Sequence, residues 1–98
     1  MVEYQLHLDD LFHSLADPTR RDILHRLMDA QYTVGQIAQG YHVSLAAVAK
    51  HLAVLEKARL ITKSRRGRER VVSIAPDGLR AASVYLNQYE ALWAERFD

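Results

Sequence analysis

Residues 63–70, "KSRRGRER", hold five positive charges in eight positions, broken by one glycine and one glutamate. The whole chain balances 13 lysines and arginines against 12 acidic side chains, so the excess is local. An arginine guanidinium carries a permanent charge on a planar fork that matches phosphate oxygens. Such a density of them suits contact with a polyanion. Other chemistry has less to work with. The histidines are His7, His13, His25, His42 and His51, and there is no cysteine. His42 and His51 flank a turn without an obvious third ligand, so no metal site is expected. His7 and His13 could approach each other across a dimer, although isolated surface histidines are the plainer reading. Asp9, Asp10, Glu90 and Glu95 read as solvated carboxylates on helix surfaces. No glycine-rich phosphate loop occurs and no serine stands in a nucleophile elbow, so neither an enzyme nor a cofactor is expected.

The elements that must position the arginines follow from periodicity and capping. Leu8, Leu11, Phe12 and Leu15 form the stripe of a first helix. Asp17 caps a second helix with Pro18 at its first position, and Ile23, Leu24, Leu27 and Met28 make its buried face. Thr33 caps a short helix with Val34, Ile37 and Ala38 inward, ended by Gly40. After a tight turn at 41–43, Ser44 caps a third long helix with Leu45, Val48, Leu52 and Leu55 on one arc. Two helices joined this way, over residues 33–58, follow the helix-turn-helix plan.

The period then changes. Residues 61–75 are rich in β-branched side chains on both sides of Gly67 and predict a hairpin with its tip at 66–68. From 77 to 97 the chain returns to helix, with Leu79, Ala82, Leu86, Tyr89 and Trp93 on a heptad seam that Tyr85 and Leu92 widen. So wide a stripe on a terminal helix calls for a partner helix. The fold class is therefore mainly α with a small β-hairpin (α+β), one winged helix-turn-helix domain over residues 1–98. Without an apolar run of membrane-spanning length or a signal-peptide layout, the expected location is cytoplasmic.

A basic hairpin directly after a helix-turn-helix reads as a wing. The long helix would enter the major groove of double-stranded DNA while the arginines reach phosphates or the neighbouring minor groove. Ser44 has two compatible roles, helix cap and phosphate contact. Ala46, Ala47 and Lys50 lie on the outward arc, with Lys50 the best single contact candidate. His51 on the flank bonds either a phosphate or the neighbouring helix. Arg20 and Arg21 read as partners of Asp17 or Asp22. Arg66 and Arg68 flank the tip and are the leading wing candidates, with Arg65 beside them. Lys63, Arg65 and Arg70 alternate along the strands and cannot all face DNA.

With "LADPTRRDILHRL", "VGQIAQ", "VSLAAVAKHLAVLEKARLI", the arginine-rich wing and "YLNQYEALWAERFD", the chain resembles the ArsR-type winged helix-turn-helix repressors over roughly residues 8–98. The resemblance implies a homodimer held by the first and last helices, binding an imperfect inverted repeat and repressing transcription. Leu8, Leu11 and Phe12 would then meet the seam of Leu79, Ala82, Leu86, Tyr89 and Trp93 at the interface. Three departures stand out. The reading helix carries Leu45, Ala46, Ala47 and Ala49 where the family usually has polar residues. Arg59 stands where a glycine often follows that helix, so the turn must change shape or accept strain. Thr33 and Gly35 replace the paired cysteines of metal-sensing members. Alanines can only touch thymine methyls and permit close approach, so an operator with T-rich half-sites is expected, with specificity leaning on Lys50, the wing and DNA shape. Two alternatives stay open: a repressor answering a metal or small molecule at the dimer interface, and a winged-helix module that binds protein instead of DNA.

Overall fold

A computed structural model describes residues 2–97, with side chains from residue 8 onward, so the His7 side chain lies outside the described residues. The order is α1 (Val2–Leu15), α2 (Pro18–Asp29), β1 (Tyr32–Thr33), α3 (Val34–Gln39), α4 (Leu45–Lys57), β2 (Ile61–Arg66), β3 (Glu69–Ile74) and α5 (Pro76–Phe97). Each central helix begins where its cap chemistry requires. Asp17 accepts the Arg20 amide, and Pro18 opens α2 where a missing N–H costs nothing. Thr33 and Gln36 form a reciprocal capping box on α3, at 3.1 Å and 2.8 Å. Ser44 Oγ accepts the Ala47 amide at 3.1 Å, which starts α4.

The sheet has three antiparallel strands in the order β1-β3-β2. The hairpin is as expected: Gly67 takes φ 62° at the first position of a two-residue loop, a conformation open to glycine. Strand β1 was not foreseen. Its two residues pair with β3 through Tyr32–Val72 and Thr33–Val71, and this fastens the wing to the start of α3.

One core serves all the elements. Leu11, Ile23, Leu27, Ile37, Val48, Leu52, Leu55, Leu60, Ile61 and Val72 are all buried within it. Two expected core residues are not in it. Met28 is 61% exposed in the last turn of α2, beside the buried Leu27, and Leu45 is 59% exposed at the first position of α4. Arg20 and Arg21 also differ from expectation. Their guanidinium groups donate to the carbonyls that end α1 and do not pair with Asp17 or Asp22: Arg20 to His13 and Ser14, Arg21 to Leu15. They thereby satisfy carbonyls that a helix end leaves without partners.

The turn after α4 accepts strain. Leu60 N–H donates to Leu55 O and Arg59 N–H to Glu56 O, the paired bonds of a Schellman motif. That motif needs a left-handed residue, and Arg59 supplies it at φ 61°. Gly78 at the start of α5 packs onto the same turn, its N–H bonding Arg59 O at 3.0 Å. A Cβ on Gly78 would stand 2.6 Å from Ala58 O, so only glycine permits this approach. From there α5 leaves the body. The radius of gyration is 15.5 Å, against about 13 Å for a compact chain of this length, and the projecting helix accounts for the excess. Among the described residues no helix is long and apolar enough to cross a membrane.

Candidate nucleic-acid interface

The outward face of α4 carries Ala46, Ala49, Lys50 and Ala53, all exposed, while Val48, Leu52 and Leu55 hold the opposite face in the core. The Lys50 side chain makes no hydrogen bond or ion pair among the described residues and is available to an anion. Ala47 is half-buried and its amide is already taken by Ser44. The Ser44 hydroxyl accepts in that bond, so its own proton remains free to donate. His51 lies between helices: Nδ1 is 3.3 Å from the Arg20 guanidinium and 3.9 Å from the Asp17 carboxylate. It therefore bonds the neighbouring helix, and its ring has a role before any DNA arrives. Asp17 is the focus of this small network. The Arg20 amide foremost, then the charges of His51 and Arg20, hold its carboxyl below the ordinary aspartate value against an opposing effect of partial burial.

The helix-turn-helix is braced from behind. Arg26 donates to Ile37 O and Gln36 O and lies over the rings of Tyr32 and Tyr41, at 5.1 Å and 5.6 Å. The Tyr41 hydroxyl donates to Asp22. Burial, with this carboxylate beside it, pushes the phenol above its usual range. The angle between α3 and α4 is thus tied to α2 by cations and hydroxyls as well as by the core.

The strand register sorts the wing cations. Ile61–Ile74, Lys63–Val72 and Arg65–Arg70 are opposed on one face, and Thr62–Ser73, Ser64–Val71 and Arg66–Glu69 on the other. Arg65 and Arg70, separated in sequence, are therefore direct neighbours on the face whose inner end is the buried Ile61 and Val72. Arg66 is on the other face, opposite Glu69 and donating to Gln31 at 3.1 Å, so it is already engaged. Arg68 occupies the tip without a partner among the described residues. Lys63 reaches back to Glu56 of α4 at 3.5 Å. Between α4 and the wing runs a trough of about 430 Å³, lined in part by Gly35, Ala49, Lys63, Arg68 and Arg70. A smaller recess of about 230 Å³, with Glu56, Ser64 and Arg65 on its walls, shares Lys63 and Arg70 with it. Arg66, expected as a leading contact, is thus engaged with Gln31, and Arg70 lines the trough instead. Counting outward from the two-residue tip pairs Arg65 with Arg70, a signal present in the sequence.

The structure divides the expected dimer residues. Leu11 (1% exposed), Leu8 and Ala82 are buried within the protomer and Leu79 packs against its core, which leaves them little surface for a second chain. The outer part of the seam is open: Leu86, Tyr89 and Trp93, with Val84, Leu92 and Phe97, are exposed, and so is Phe12 on α1. Phe12, Tyr85 and Tyr89 stack edge to face at 5.8 Å and 5.2 Å, and Trp93 lies 4.4 Å from Phe97. One aromatic band thus runs from α1 to the end of α5. Among the described residues, no three His, Asp or Glu side chains cluster closely enough to hold a metal ion.

Comparison with known proteins agrees with this geometry. Residues 17–63 match the model for "Bacterial regulatory protein, arsR family". The chain is 40% identical to the HTH-type transcriptional regulator Rv2034 of Mycobacterium tuberculosis, over 83% of this chain and 76% of that one. It is 35% identical to the transcriptional repressor SdpR of Bacillus subtilis, over 61% and 67% respectively. The crystal structure of the ArsR family transcriptional regulator RHA00566 superposes with a TM-score of 0.88 at 33% identity, covering 94% of this chain and 95% of the other.

Proposed function

The chain belongs to the arsR family of bacterial regulatory proteins, and from that membership we propose that it is a DNA-binding transcriptional repressor acting as a homodimer at an inverted-repeat operator. The observation that carries the reading is the separation of two surfaces. An exposed face of α4, alanine-rich with one lysine, stands beside a cationic trough, and an aromatic band of exposed side chains runs along α1 and the outer half of α5.

The first surface fits a duplex. Helix α4 enters the major groove with Ala46, Ala49 and Ala53 against base edges and thymine methyls, and Lys50 reaches a base acceptor or a phosphate. The Ser44 hydroxyl donates to a phosphate while its oxygen keeps the cap. Arg68 at the tip and Arg65 on the inner face contact the backbone or the minor groove. Arg66 contributes less, because it would have to leave Gln31. His51 acts from behind the interface by holding α4 to Arg20 of α2.

The second surface fits another copy of the same helix face. Contiguous apolar patches of this kind rarely stay open to water on a monomer. Two copies joined along α5 would present their α4 helices as a symmetric pair, which requires half-sites about 34 Å apart or a multiple of that distance. Repression is then steric: the bound dimer occupies the promoter. The test is selection of duplexes from a random pool at low salt, followed by salt titration of the winners. Inverted repeats with T-rich half-sites and a strong inverse dependence on salt are expected. Failure to retain any duplex at low salt would overturn the reading.

A further inference from the structure

The register of the hairpin places two like charges directly opposite each other, Arg65 against Arg70. Like charges at such a cross-strand position destabilise a sheet. Neither side chain forms an ion pair among the described residues: Glu56, which lines the recess, is held by Lys63, and Glu69, which lines the trough beside Arg70, stands opposite Arg66 in the register. Both line the recess between the wing and α4, and Arg70 also lines the larger trough that continues toward Ala49 and Gly35. Ala49 and Gly35 keep this passage open beside the reading face of α4. A repulsive pair at the mouth of an open passage is accounted for if an anion normally sits between the two guanidinium forks.

We propose that Arg65 and Arg70 form a two-arginine clamp for one phosphodiester of the DNA backbone, seated between α4 and the wing. This rests on the DNA-binding reading above and adds a contact site to it. Each guanidinium presents a planar pair of N–H donors, so one phosphate can accept from both at once. Arg68 borders the trough at its outer end and raises the local potential, while the charge of Lys63 is offset by Glu56. The clamp fixes the depth to which α4 enters the groove, because the hairpin that carries it is anchored through β1 to α3. Its contribution to affinity is independent of sequence.

The test uses the full chain and a duplex selected as above, comparing Arg65→Gln and Arg70→Gln with Arg80→Gln, which removes an equal charge at an exposed site on α5. A lost phosphate contact lowers the salt slope by about 0.9, so a dimer loses about two units and binds about 30-fold more weakly at 0.15 M salt. Each clamp variant should also melt a few degrees higher than wild type in low salt without DNA, because the cross-strand repulsion is gone. Arg80→Gln should show neither change. Wild-type binding with unchanged slopes for both clamp variants would overturn the clamp and leave the repressor reading intact. A wild-type protein that binds no duplex at low salt would overturn both.

Discussion

Replacing Arg59 by glycine should stabilise the protein, although arginine makes ordinary contributions elsewhere on this surface. Arg59 is the one non-glycine residue of positive φ among the described residues, at 61°. An L-residue in that region costs about 1–2 kcal/mol relative to its right-handed alternatives. Glycine removes this cost and gives back about 0.5–1 kcal/mol through the greater freedom of its unfolded chain. The net gain is about 0.5–1 kcal/mol. The side chain is exposed and makes no ion pair among the described residues, so little is lost with it. The backbone bonds that matter, Leu60 to Leu55 and Gly78 to Arg59, remain available. For a domain of this size the gain corresponds to a rise in Tm of about 2–8 °C. The assay is urea and thermal unfolding at one fixed protein concentration, because dimerisation couples to stability. Arg59→Ala is the discriminating control, since it removes the same side chain and leaves a Cβ at positive φ. If Arg59→Gly and Arg59→Ala were equally stable, strain at this turn would not be the cause and the reasoning would fail.

Three further outcomes are expected. Gly78→Ala should destabilise by about 1–3 kcal/mol, read by urea unfolding, because the new Cβ meets the backbone oxygens of Ala58 and Arg59 at 2.6 Å and 2.8 Å and neither can swing aside. Trp93→Asp should leave each protomer folded, since its ring packs in the protomer against Phe97 on the open face, yet raise the dimer Kd by about three orders of magnitude in sedimentation equilibrium. Asp17 has a lowered pKa, so the stability it adds is fully present above the unfolded-state value and is lost as pH falls through the folded one. Asp17→Asn keeps a capping side chain but should flatten this acid limb below about pH 4 in a series of thermal melts.

Much of the fold was legible because its signals are local. The caps at Asp17, Thr33 and Ser44 depend on one side chain and an amide three residues on. The hairpin depends on a single glycine between β-branched runs. What was not legible depends on how elements meet. Strand β1 is two residues long and exists through its pairing with β3, about 40 positions away, which no local pattern reports. Met28 lies at the edge of a stripe whose Leu24 and Leu27 are buried, and Leu45 at the first position of α4, and periodicity carries no information about how far a core reaches across a helix face or along it. The same limit divided the α5 seam, whose first half serves the protomer's own core and whose second half is open. In the wing, alternation along the strands is expected to keep Lys63, Arg65 and Arg70 from all facing one way, whereas the register brings all three to one face and sets Arg66 on the other. Which face looks toward α4 followed only once Ile61 and Val72 were seen to be buried.

The most direct test of the account is the composition of the DNA complex. Sedimentation velocity of the protein with a selected inverted-repeat duplex should give two chains per duplex, and the complex should dissociate progressively as salt is raised. A single chain bound per duplex, or a complex indifferent to salt, would contradict it.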